Sequence, residues 1–133
     1  MATDSNTAPV SKATLWTGWV LSILPVLLLV MSAVMKFMPP PQAAEGFAHL
    51  GWPLQLAFVL GVIELGATLL YLIPQTAVLG AILLTGYLGG AIATHVRIGE
   101  HRDVVIPIVI GVVVWLGLYL RDPRLRQLIP LRT

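Results

Sequence analysis

Glu64 stands inside the stretch GVIELGATLLYLIPQ, Gly61 to Gln75, where every other side chain is at ease in oil or at its edge. A carboxylate in such company does what an apolar residue cannot: it accepts hydrogen bonds, pairs with a base, or carries a proton. Four further residues have chemistry to match it. Lys36 closes the first apolar run, and Tyr87, Thr94 and His95 lie in the third. Tyr87, Ala91 and His95 recur every four residues and so share a helix face, with Thr94 on roughly the same side. Glu64, Thr68 and Tyr71 are spaced by four and three and form a second polar stripe. Facing each other, the two stripes enclose a pocket with a carboxylate near its floor and Lys36 and His95 near its mouth. That arrangement suits an apolar molecule with a polar head. Glu64 and His95 would hydrogen-bond the head or exchange protons with it, while Lys36 sets the local charge. The competing reading makes Glu64 a neutral acid bonded to Tyr87 or Thr85, serving helix packing alone.

These residues need elements to hold them, and composition decides which. The chain has 133 residues, 57% hydrophobic and 11% charged, far below the roughly 25% charged residues of a soluble domain. The apolar excess is too large for one small core to hide, so the surroundings are a lipid bilayer. Four hydrophobic segments follow a polar tail over residues 1–14: Leu15 to Met38, Pro53 to Ile73, Thr76 to Val96, and Val104 to Leu120. Each approaches the roughly 20 residues that span about 30 Å of hydrocarbon. Backbone groups find no partner in that medium, and uninterrupted apolar runs do not alternate as barrel strands do, so all four are expected as helices. The expected fold is all-α, an integral membrane four-helix bundle over residues 15–133, multi-pass in a bacterial inner membrane. The first run is too long for a signal-peptide core and is expected to remain as an anchor.

Local signals punctuate the helices. The triplet Pro39, Pro40 and Pro41 ends the first, Pro53 suits the opening turn of the second, and Pro74 stops it. Only Pro74 and Gln75 separate the second and third, which forces an antiparallel hairpin. Pro25 is expected to kink the first helix. Gly86 and Gly90, and Gly89 with Ala93, are small-xxx-small pairs that let another helix approach the third. An even number of spans puts both termini on one side with Lys12, Arg121, Arg124, Arg126 and Arg132, against Lys36, Arg97 and Arg102 opposite. The positive-inside bias gives N-in and C-in. Glu64 then lies about 16 Å below the outer end of its helix, near the midplane, where an ionised acid must be paired, wetted or protonated. Lys36 can reach down to it, His95 lies about one turn from the surface, and Arg97 snorkels to the headgroups.

The run GVIELGATLLYLIPQTAVLGAILLTGYLGGAIATHVRIG, followed by a last helix ending WLGLYLRDPRLRQLIP, resembles the DoxX-like family of small four-helix bacterial membrane proteins. Its most specific elements are the Glu64 site, Tyr71 to Pro74, Leu79 to Ala91, His95 to Arg97, the terminal Leu-Arg-Asp with Arg126, and Lys36. The resemblance implies a compact four-helix bundle. The family takes its name from a subunit linked to sulfur-compound oxidation with quinone. That chemistry does not carry over to a short chain without cysteine or any other mark of a thiosulfate site.

Other chemistry is thinly supported. A b-type haem would need His95 and a partner from His49 or His101, both in outer loops rather than at one depth. Glu45, His49, His101 and Asp103 have no paired-ligand spacing, so no metal is expected. No nucleotide motif appears, and a net charge of +2 gathered at the C-terminus argues against nucleic acid. The expected function is binding or protonating an apolar small molecule, a quinone or isoprenoid, at Lys36, Glu64, Tyr87, Thr94 and His95. The alternative is an accessory or assembly subunit whose glycine face docks a membrane-protein partner or a second copy.

Overall fold

The computed structural model describes residues 11–131. The first ten residues of the expected tail, and Arg132, fall outside them. Helix α1 runs over Lys12–Phe37, starting ahead of Leu15 because the Ser11 hydroxyl accepts from the Thr14 amide at 3.2 Å and caps it. It continues through Pro25, which is buried. The prolines that end α1 lead into a short helix absent from the sequence reading, α2 over Ala43–Leu50. Gly51 ends α2 at φ 76°, a left-handed conformation that favours glycine.

Helix α3 spans Leu56–Leu72. It begins three residues after Pro53 because Pro53 to Gln55 are spent on turns, with the Leu56 and Ala57 amides reaching the Pro53 and Leu54 carbonyls at 3.0 Å. Ile73 is extended ahead of Pro74, as the residue before a proline tends to be. One 3-10 turn, Pro74–Thr76, then reverses the chain into α4, Ala77–Arg97. Helix α5 covers Val105–Arg121. A last turn, α6 over Pro123–Arg126, is capped by Asp122, which accepts from the Arg124 amide at 2.9 Å.

Two helices, Lys12–Phe37 and the Pro74–Arg97 stretch, are long and apolar enough to cross a membrane, and α3 and α5 are shorter and equally apolar. The four pack together: α1 lies against α3 and α5, and α4 against the same two. No strand occurs among the described residues. The packing turns a soluble protein inside out. Leu24, Leu27, Leu28, Val59, Val62, Val109 and Val112 point outward and are exposed, while Ser22, Glu64, Thr68, Tyr71 and Arg121 are buried. Large apolar side chains on every outer face are what lipid, rather than water, tolerates.

The closest approaches between helices among the described residues fall at three glycines. A Cβ on Gly80 would lie 2.1 Å from the Tyr71 backbone nitrogen, one on Gly18 2.8 Å from the Arg121 nitrogen, and one on Gly117 2.7 Å from Ser22 Oγ. Gly86, Gly89 and Gly90 differ: nothing comes within 4 Å of a Cβ there, so they mediate no close helix contact among the described residues. Gly80→Ala is therefore expected to separate the α3–α4 hairpin and destabilise the protein by about 1–3 kcal/mol, as overpacking does. Gly89→Ala should be neutral or slightly stabilising. Thermal unfolding of the two variants in the same detergent checks the contrast, and equal melting temperatures would contradict the packing described.

Candidate functional site

Helix α1 delivers Lys36 in its last turn, and Gly61 on α3 is the reason it arrives. A Cβ at Gly61 would sit 3.2 Å from Lys36 Cβ and 3.3 Å from the Ala33 carbonyl oxygen. The bare glycine lets the end of α1 settle on α3, while Phe37 meets Phe58 edge-on with ring centroids 5.4 Å apart. Glu64 is one turn beyond Gly61 on the same face. Lys36 Nζ consequently donates to Glu64 Oε2 at 2.8 Å and to Ser32 Oγ at 2.6 Å. The carboxylate side chain is 2% exposed and the lysine 19%, so the pair is largely shielded. Lys36 Nζ also lies 5.9 Å from the centre of the Tyr87 ring, within reach of its negative π face.

The remaining partners divide differently from expectation. Thr85 is not available to Glu64, because its hydroxyl donates to the Ala81 carbonyl and accepts from Trp115 Nε1, each at 2.7 Å. Thr68 turns its hydroxyl onto the Glu64 carbonyl of its own helix at 2.6 Å. Tyr71 belongs to the far end of the bundle, where its hydroxyl donates to the Val114 carbonyl at 2.7 Å and lies 3.0 Å from Ser22 Oγ, joining α1, α3 and α5. The α3 stripe thus serves two places. His95 does not reach Glu64 but pairs with Glu100, and Arg97 bonds the Leu50 carbonyl at the end of α2.

Two grooves flank the shared wall made by Tyr87, Ala91, His95 and Lys36. The first, about 380 Å³, lies among α1, α3, α4 and α5 and includes Glu64, with Leu28, Ile106 and Ile110 along its length. The second, about 540 Å³, runs between α3 and α4. Gly86 and Gly90 floor it, Leu60 and Ile63 form the opposite side, and Phe47, Leu50 and Trp52 cover one end. Four of the five expected site residues, Lys36, Glu64, Tyr87 and His95, therefore line one groove; Thr94 lines the other. The glycines of α4 leave room where side chains would have filled it.

At the end of the bundle formed by α2 and the α4–α5 turn, Gly99 adopts φ 83°. The chain folds back there, placing the Glu100 amide 3.0 Å from the His95 carbonyl and the Glu100 carboxylate 3.0 Å from His95 Nδ1. His49 Nε2 meets the other carboxylate oxygen. The hydrogen bond from His49, and next that from His95, hold the Glu100 carboxyl below its ordinary value. This clasp is complete above the usual carboxylate range and weakens as the pH falls through the lowered value.

The opposite end holds a residue that the sequence marks only as one of the basic residues gathered on the side of the termini. Arg121 is 8% exposed. It donates to the Tyr71 carbonyl at 2.7 Å, with its guanidinium carbon 4.3 Å from the Trp19 ring centre and 4.8 Å from that of Tyr71. Its Nε has no partner among the described residues. Trp19 at the matching depth of α1 was the available signal.

The chain matches the DoxX-like family over residues 20–117 and belongs to it. Neither a curated protein nor a solved structure matches the chain.

Lys36→Met is expected to cost about 3–5 kcal/mol, because it strands a buried carboxylate. The double substitution Lys36→Met with Glu64→Gln should recover most of that loss. A double-mutant cycle by denaturant unfolding in micelles reads it directly, and Lys36→Met behaving as wild type would show that the pair carries no such weight.

Proposed function

We propose that this DoxX-like protein spans the membrane four times with both termini cytoplasmic, in a bacterial inner membrane, and binds an apolar molecule with a polar head at Lys36, Glu64, Tyr87 and His95. The observation that carries the reading is the Lys36–Glu64 ion pair at 2.8 Å, set in the wall of a groove lined by apolar side chains. A packing role alone could be met by a neutral hydroxyl or amide at lower cost in hydrocarbon. Lys36 and Glu64 supply a donor and an acceptor side by side, which suits a quinone or another carbonyl-bearing isoprenoid head. Glu64 is placed to take or return a proton through Lys36, and His95 stands at the end of the same wall. The body of the ligand has room on either side of that wall, about 380 Å³ beside Glu64 and about 540 Å³ in the groove floored by Gly86 and Gly90, both within the usual range for small-molecule sites.

A second reading has its own support. Gly86, Gly89 and Gly90 are exposed and untouched among the described residues, so a helix of a partner protein, or of a second copy, fits there as well as a ligand does. The protein would then be an accessory or assembly subunit, and Glu64 would serve structure.

Glu64→Gln separates the two, and Gly86→Leu and Gly90→Leu probe the face that each reading uses. Under ligand binding, a ubiquinone analogue titrated into nanodisc-reconstituted protein loses affinity at least tenfold in Glu64→Gln and in Gly86→Leu, with helical content unchanged. Under assembly, Gly90→Leu abolishes co-purification of the partner and Glu64→Gln leaves it intact. Wild-type affinity in a folded Glu64→Gln protein removes the central residue of the first reading. Terminal tags reported by protease access check the topology, and an extracytoplasmic C-terminus would reverse it.

A further inference from the structure

Two segments far apart in sequence, the end of α2 and the stretch from the end of α4 to the start of α5, bring metal-ligating side chains together at one end of the bundle. His49 comes from the last turn of α2, His95 from the last turn of α4, and Glu100 and Asp103 from the turn before α5. The ligating atoms of His95, Glu100 and Asp103 lie within 4.8 Å of one another. His95 Nδ1 and Glu100 Oε2 are already 3.0 Å apart, close to the roughly 3.3 Å that separates two ligands of a tetrahedral ion with bonds of about 2.05 Å. Asp103 is exposed and free to close the remaining gap by a change of rotamer. We propose that His95, Glu100 and Asp103 bind a divalent first-row cation such as Zn²⁺ at this end of the bundle, with His49 as a positioning residue that fixes Glu100.

The donor set argues for that class of ion. One imidazole and two carboxylates suit Zn²⁺ or a neighbouring transition metal, whereas Mg²⁺ keeps its waters and avoids imidazole. Three protein ligands leave a fourth position for water. The backbone prepares the site before any metal arrives, because Gly99 at φ 83° returns Glu100 onto His95. His49 holds the second carboxylate oxygen from the neighbouring helix, the kind of outer contact that orients a ligating carboxylate.

The site has a structural consequence. His49 shares α2 with Phe47 and Leu50, which cover one end of the α3–α4 groove, and His95 and Asp103 both line the Glu64 groove. A bound ion would brace the α4–α5 turn at the end of the Glu64 groove, with α2 joined to it through the contact of His49 with Glu100. This inference stands on the cluster alone and does not depend on what the grooves hold.

Zn²⁺ titrated into full-length, tag-free, metal-stripped protein in nanodiscs, read by isothermal calorimetry, tests it. About one equivalent per chain is expected for the three-ligand site, together with a rise in melting temperature. His95→Ala, Glu100→Gln and Asp103→Asn should each weaken binding at least tenfold, and His49→Ala by about 10–100-fold. His101→Ala, a loop histidine outside the set, should leave binding and the zinc-dependent stabilisation unchanged, and Mg²⁺ should not substitute. Size exclusion and circular dichroism confirm that each variant is folded before titration. Absence of Zn²⁺ binding by the wild type, or retained affinity in the folded Glu100→Gln and Asp103→Asn proteins, overturns the proposal.

Discussion

A helix bundle whose outer faces are apolar has one place to put polar groups, and every polar group it puts there must find a partner inside. That constraint organises this protein. At bilayer depth an unmatched carboxylate or guanidinium costs several kilocalories per mole. Lys36 therefore meets Glu64, the Tyr71 hydroxyl meets the Val114 carbonyl, and Arg121 lies between two aromatic rings while bonding the Tyr71 carbonyl. Each pairing crosses between helices, so satisfying the polar groups also fixes which helices are neighbours.

Glycine placement makes those pairings reachable, and two kinds of glycine act in opposite ways. Gly18, Gly61, Gly80 and Gly117 sit where a methyl group would strike a neighbouring helix; they bring backbones close enough for side chains of modest length to bond across. Gly86 and Gly90 sit where nothing touches them and instead hollow out a groove. The same residue type tightens one side of α4 and opens another. The first kind packs the helices closely around Tyr71 and Arg121 and, at Gly61, seats α1 beside Glu64; the second leaves an opened side around Tyr87 and His95. The proposed ligand binding would draw on both: the close-packed end holds the helices in register, and the open side leaves space beside a buried ion pair.

Much of this was legible in the chain without coordinates. The apolar excess, the four long runs and the proline breaks point to helices packed in lipid, because hydrocarbon leaves a polypeptide few other ways to bond its own backbone. Glu64 stood out as an acid in need of a partner, and Lys36 was within reach. The face shared by Tyr87, Ala91 and His95 follows from a period of four on a helix. Membership of the DoxX-like family agrees with that reading.

What periodicity cannot supply is the rotation of one helix against the next, and the corrections all come from there. His95 and Arg97 share the last turn of α4, yet one bonds Glu100 and the other the Leu50 carbonyl. Neither pairs with Glu64, because the turn at Gly99 returns Glu100 onto His95 and Arg97 reaches α2 instead. Tyr71 continues the Glu64 stripe by spacing but serves the opposite end of the bundle, because α5 supplies a carbonyl there. Arg121 passes for one more charge of a basic tail until Gly18 admits α5 against α1 and buries it. The sequence determined that buried polar groups must exist and be paired, since the solvent demands it. Only the tertiary structure decided the pairs, because a contact between helices depends on distances of an ångström or two that no one-dimensional pattern records.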